Sequence, residues 1–182
     1  MLDYRAPLGE MQFVIKNLIG IDSLTSLYGD TDFSEETLEL ILVEAEKFAK
    51  NKLNPINFEG DREGCRLENG TVFTAKGWRD AYSFFIDGGW QGLSVSEEFG
   101  GQGLPKVVSS AVSEMWDSTN MSFALCPLLT SGAIDALEAH GSSKLKQLYL
   151  HKLVSGEWTG TMNLTEPQSG SDLSNVKTQA IP

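Results

Sequence analysis

The chain has 182 residues, 41% of them hydrophobic, and a formal net charge of -11. That length suits one domain, or one domain and the beginning of a second. No apolar run approaches the ~20 residues a membrane helix needs, and the acidity argues against a general binder of nucleic-acid phosphates, which would show a basic face. The N-terminal stretch Met1-Leu2-Asp3-Tyr4-Arg5-Ala6-Pro7 has no basic segment leading into an apolar one. No secretory signal is therefore expected, and the protein is placed in the cytoplasm, where its acidity keeps it soluble.

Taken in chain order, a first helix is expected at residues 11–19, with Met11, Val14, Ile15 and Leu18 at helical spacing and Gly20 ending it. Residues 23–32 read as a polar connection. Asp32 or Ser34 then caps a second helix, with Glu35 and Glu36 at its positive end. Leu38, Ile41, Leu42, Ala45, Phe48 and Ala49 form its apolar stripe, and Asn54-Pro55 stops it. Residues 56–74 read as loop, in which Asn69-Gly70 is suited to close a hairpin between Cys65-Arg66-Leu67 and Thr71-Val72-Phe73. A third helix over 75–87 buries Trp78, Ala81, Tyr82 and Phe85.

The glycine-rich stretch that follows is not a dinucleotide fingerprint: Gly101-x-Gly103 lacks the third glycine, and no hydrophobic strand precedes it. Pro105 opens a fourth helix, with Val108, Ala111, Val112, Met115 and Trp116 inward and an interruption at residues 117–120. Residues 121–139 read as a buried fifth helix with Pro127 at a start or kink, closed by Gly141. Ser142 or Ser143 caps a sixth, through Leu145, Leu148, Tyr149 and Leu153.

Six helices then feed one strand-like stretch, residues 158–164, with no alternation of strands and helices. The fold class is therefore mainly α: an all-α domain over residues 1–156, followed at 157–182 by the start of a β domain. Glu166-Pro167 breaks the stretch, because proline has no N–H to give a ladder, and the small-residue loop Ser169-Gly170-Ser171-Asp172 follows. Such a loop offers free backbone N–H groups to a polar, anionic cofactor, although composition alone suits a plain turn as well. Cys65 and Cys126 form no C-x-x-C pattern and have no histidine nearby. Cys126, in the apolar Leu125-Cys126-Pro127, reads as a buried small hydrophobe, and His140 and His151 as structural or surface residues.

The string Leu164-Thr165-Glu166-Pro167, two residues, then Gly170-Ser171-Asp172 closely resembles the signature of the acyl-CoA dehydrogenases. Gly141, Lys146-Gln147, Tyr149-Leu150 and Gly156-Glu157-Trp158 are similar to the family's helix leading into its flavin-binding strand. Ala6-Pro7-Leu8, Glu63-Gly64-Cys65 and Gly100-Gly101-Gln102-Gly103-Leu104-Pro105 look most like its 3-methylmercaptopropionyl-CoA dehydrogenase-like branch. The resemblance covers nearly the whole chain.

It implies oxidation of an acyl-CoA thioester to the 2,3-enoyl-CoA, a glutamate base taking the α-proton while a hydride leaves the β-carbon for the N5 of FAD. On the matching positions, Leu164 would give its N–H, and Thr165 its N–H and hydroxyl, to the flavin pyrimidine edge. Met162 stands where a bulky residue packs near the flavin, and Gly170 and Ser171 would approach the FAD pyrophosphate. Leu128, Leu129, Ser131, Gly132 and Ser171 are the candidate substrate-binding residues. No catalytic residue is expected in this chain. The family's base comes from the second half of the protein, so Glu166 is expected to fix the turn as a hydrogen-bond acceptor. The sequence stops at Ile181-Pro182, just inside the β domain, so the rest of that domain and a C-terminal helical bundle are expected elsewhere. The resemblance further implies electron-transfer flavoprotein as electron acceptor and a homo-oligomer, with no metal. The competing readings are a non-catalytic helical interaction domain derived from the fold, and a DNA-associated branch that the net charge disfavours.

Overall fold

The computed structural model describes residues 4–28 and 33–181. The alternative cap Asp32, and the part of the expected polar connection at 29–32, lie outside the described residues. The chain opens with α1 (Leu8–Phe13), whose first turn is anchored by the Pro7 carbonyl, which accepts from the Glu10 and Met11 N–H groups. It passes through the π-helical turn Val14–Gly20 into α2 (Ile21–Tyr28), which buries Leu24. The expected polar connection is thus helical as far as Tyr28: Leu24, Leu27 and Tyr28 recur at the spacing of one helix face.

Ser34 caps α3 (Glu35–Phe48), its hydroxyl accepting from the Thr37 N–H at 3.1 Å. Leu38, Leu42, Ala45 and Phe48 point inward, as their spacing requires. Asn54-Pro55 does not stop the helical path. A π-helical turn, Ala49–Leu53, carries it into α4 (Asn54–Glu63), with Pro55 in the first turn of α4. The hairpin is as expected: β1 (Arg66–Glu68) and β2 (Thr71–Phe73) run antiparallel with Leu67 opposite Val72, and Asn69 and Gly70 both take positive φ. Then comes α5 (Trp78–Asp87), burying Ala81 and Phe85.

Residues 88–105 form a loop closed on itself. Gln102, Gly103 and Leu104 donate their N–H groups to the Gly92, Val95 and Leu93 carbonyls, each at 2.9 Å. A Cβ at Gly101 would lie 2.1 Å from the Val95 oxygen, so this crossing admits only glycine. With these N–H groups committed internally, the stretch is a structural tie and not a phosphate cradle.

The long α6 (Lys106–His140) is two helical halves broken at Asn120 (φ -156°, ψ 82°), inside the interruption expected from the sequence. Asn120 is fully buried: its Oδ1 accepts from the Phe123 N–H at 3.1 Å and its Nδ2 donates to the Leu53 carbonyl at 3.4 Å. One side chain thereby restarts α6 and ties it to the turn before α4. Finally α7 (Ser143–Val154) is capped by Ser142.

The main core gathers Leu38, Leu42, Phe85, Val112 and Trp116 around Phe48, with Trp116 edge-on to Phe48 at 5.0 Å. A second cluster, including Val95, Ile134 and Leu150, seats α7 against the later half of α6. The fold is mainly α with one small hairpin. Three further expectations are corrected. Residues 158–164 form no strand, because no second strand runs beside them to make a ladder among the described residues, and the next residues make only an isolated bridge between Glu166 and Ser169. The stretch 121–139 is not a wholly buried helix: Met121, Leu125 and Leu128 are 51%, 47% and 55% exposed. Cys126 is likewise exposed, on that same half of α6.

Candidate functional site

The residues singled out from the sequence fall on two structures, an extended arm after α7 and a groove along α6. The arm leaves α7 where the Tyr82 hydroxyl donates to the Gly156 carbonyl at 2.9 Å. Trp158 donates its N–H to the Lys152 carbonyl at 3.0 Å, and the Lys152 ammonium sits 4.6 Å from its ring centre. Gly160 then presses onto α6. Its N–H donates to the Thr130 hydroxyl at 3.1 Å, and a Cβ there would come within 2.6 Å of the Ala133 Cβ.

Beyond Pro167 the arm folds back as a small polar loop. Glu166 and Ser169 exchange backbone hydrogen bonds at 3.0 Å, and the buried Ser169 donates its hydroxyl to the Asp172 carbonyl. The Asp172 carboxylate accepts from the Ser174 hydroxyl and N–H and from the Asn175 amide, which together hold its pKa below the usual range. Glu166 accepts from the Thr178 hydroxyl and from the Lys177 and Thr178 N–H groups at 3.0 and 2.9 Å, with Gln168 closing on it as well. These bonds lower its carboxyl from 4.5 to about 2. Such a carboxylate is a turn clamp and a poor proton acceptor at neutral pH.

Within that frame, Met162, Leu164, Thr165, Gly170 and Ser171 are all exposed, Met162 by 64% and Leu164 by 42%. Among the described residues, no partner accepts a hydrogen bond from the backbone N–H of Leu164, Thr165, Gly170 or Ser171, nor engages the Thr165 or Ser171 hydroxyl. Four unpaired N–H groups and two free hydroxyls on one short, clamped loop form a donor-rich surface suited to phosphate or a carbonyl-rich ring edge. The donor set fits FAD as the sequence resemblance implies.

The groove, of about 610 Å³, lies between α5, the 88–105 loop and both halves of α6, with Trp90 and Trp116 among its apolar lining. The structure divides the candidate substrate residues. Leu128 and Ser131 line the groove. Leu129 is half-buried, and its carbonyl lies beside Gly160. Gly132 faces open space, and Ser171 is on the arm. Two residues that sequence reasoning missed matter here. Gln91 lines the groove and reaches Ser131, and Asn120 sets the bend over which the groove runs. The one signal for Gln91 was a polar residue inside the tight Gly-Gly-Trp-Gln-Gly-Leu turn; Asn120 closed the interruption already noted.

A helical body with this hairpin and broken α6 corresponds to a known domain: residues 35–157 match the family model described as acyl-CoA dehydrogenase, N-terminal domain, and the chain belongs to the acyl-CoA dehydrogenase family. It is 46% identical to 3-methylmercaptopropionyl-CoA dehydrogenase of Ruegeria pomeroyi over 181 residues, 100% of this chain and 31% of that protein. To a butyryl-CoA dehydrogenase of Syntrophomonas wolfei it is 29% identical, over 99% of this chain and 30% of the relative. An acyl-CoA dehydrogenase complexed with FAD from Bacillus anthracis superposes with a TM-score of 0.64 at 28% identity, over 82% of this chain and 24% of that one. The chain thus spans about 30% of the length of the curated relatives it matches.

Proposed function

We propose that this chain is the N-terminal part of an FAD-dependent acyl-CoA dehydrogenase that converts an acyl-CoA thioester to the 2,3-enoyl-CoA. The observation that carries the reading is the donor-rich loop, with unpaired N–H groups at Leu164, Thr165, Gly170 and Ser171 where the family motif lies. The division into a helical domain at 1–156 and the start of a β domain at 157–182 belongs to the same proposal.

Leu164 and Thr165 would hold the pyrimidine edge of FAD, with Met162 beside them, and Gly170 and Ser171 the pyrophosphate. When bound, FAD supplies the hydride acceptor. Leu128 and Ser131 would flank the acyl chain in the groove, with Leu129 and Gly132 on the same helical half, and Ser171 would approach the CoA end. Glu166 holds the arm's shape, and the base that takes the α-proton is a glutamate outside this chain. Electron-transfer flavoprotein as acceptor, a homo-oligomer and a cytoplasmic setting complete the reading; two free thiols, Cys65 and Cys126, suit a reducing compartment.

The test is anaerobic mixing of acyl-CoA thioesters with the FAD-loaded protein that contains this chain. Loss of the oxidised flavin's visible absorbance is the expected result. A protein that folds, yet binds neither FAD nor any acyl-CoA, would instead support the non-catalytic interaction domain.

A further inference from the structure

Thr130 stands on the later half of α6 and is 1% exposed. Its hydroxyl is committed on both sides. It donates to the Cys126 carbonyl one turn back at 3.0 Å and accepts from the Gly160 N–H of the arm at 3.1 Å. An amide N–H can only donate and a carbonyl oxygen only accept, so the hydroxyl sits one way round.

The seat beside that bond admits one register of the arm. A Cβ at residue 160 would lie 2.6 Å from the Ala133 Cβ, 3.2 Å from the Thr130 Cα and 3.3 Å from the Leu129 carbonyl oxygen. Gly160 is the one glycine between Gly156 and Gly170, and its neighbours Thr159 and Thr161 are both β-branched. A slip by one residue would bring a branched side chain to a place that has no room for a single Cβ. It would also carry every later residue of an extended chain about 3.3 Å along, farther than a hydrogen bond tolerates.

Past Gly160 the arm makes its bonds within itself. Among the described residues, no hydrogen bond or ion pair joins residues 161–181 to the helical body. The Thr130 bond is therefore the last such tie before the unpaired N–H groups of Leu164 and Thr165, and it fixes where that part of the arm starts relative to α6.

We propose that Thr130 is a positioning residue, which through Gly160 holds the flavin-contacting part of the arm in register with α6. The proposal rests on the flavin reading given above. The test uses the protein that contains this chain and two substitutions. Thr130→Val keeps the branched shape but leaves the Gly160 N–H without its acceptor; Thr130→Ser keeps the hydroxyl. Amide exchange of the FAD-free protein, calorimetric FAD affinity and the thermal midpoint are measured for each. Thr130→Val quickens exchange over residues 160–178 and weakens FAD binding roughly threefold to tenfold, the worth of one neutral hydrogen bond. Thr130→Ser keeps both close to the unsubstituted protein. A merely structural threonine would lower the midpoint in Thr130→Val and leave the FAD affinity of the folded protein where it was. Unchanged FAD affinity in Thr130→Val, whatever its midpoint, or a Thr130→Ser variant as weak as Thr130→Val, overturns the proposal. An unsubstituted protein that takes up no FAD overturns the flavin reading itself, a separately visible result that removes the positioning role with it.

Discussion

The helical body and the arm that follows it are stabilised by different physics. Up to Gly156 the chain buries an aromatic and aliphatic core, from Met11 to Val154, and its hydrogen bonds lie largely within helices. Over residues 157–181 only Ser169 is buried. The arm is held by Glu157 and Trp158 to Lys152, by Gly160 to Thr130, and by a polar loop centred on two carboxylates. The body thus supplies a rigid platform, while the arm keeps backbone donors unpaired at the surface. Burial fixes where the arm starts, and ionic hydrogen bonds fix the shape of its loop.

The sharpest way to break this contrast is in the body. Phe85 is 1% exposed and packs against Phe48, Trp116 and Phe123. Phe85→Ala is expected to cost about 3–5 kcal/mol in urea-induced unfolding. No arm substitution should approach that figure. Asn120→Ala comes next, at about 1–3 kcal/mol, because it strands the buried Phe123 N–H and Leu53 carbonyl. Asn120→Asp should be no better, because it sets a buried carboxylate against the Leu53 carbonyl.

Gly160→Ala tests the arm's seat. The added Cβ meets the Ala133 Cβ, so the arm lifts from α6. Amide exchange should quicken over residues 160–178 while the midpoint of body unfolding stays almost unchanged; equal loss in both regions would erase the distinction. A gentler probe is acid. The folded pKa of Glu166, about 2, lies below its ordinary 4.5. Its clamp is therefore fully effective above about pH 4.5 and is lost as pH falls through 2. NMR signals of the Lys177 and Thr178 amides should move in that window, and Glu166→Gln should remove most of the shift.

Part of this contrast could be read in the sequence. Ser34 before an acidic turn, Asn69-Gly70 between short apolar runs and the break near Asn120 are local signals, and each appears where its chemistry required. Pro55 was misread because a proline that ends one helix and a proline that starts another look alike without knowing that Ala49–Leu53 bridges them. Residues 158–164 have strand composition, yet a strand is a relation between two backbones, and composition names no partner. Leu125 and Leu128 are apolar and exposed, so hydrophobicity marked the right helix but not which of its faces is covered. Gln91 bonds to Ser131, 40 positions away, a separation no local pattern reports. The residues proposed to hold the flavin were singled out by their motif; the structure adds that, among the described residues, their backbone donors are unpaired.

That last point is the central claim, and Thr165→Val tests it most directly. The Thr165 hydroxyl is exposed and has no partner among the described residues, so in the body-and-arm account its removal leaves folding stability within about 0.5 kcal/mol. FAD titration of the protein that contains this chain, followed by flavin fluorescence alongside thermal unfolding, separates the two roles. The account predicts affinity weakened from roughly threefold to tenfold or somewhat more, with an unchanged unfolding midpoint. Unchanged FAD affinity, or a loss of stability as large as the loss of binding, would make Thr165 a turn former and contradict the assignment of the arm to the flavin.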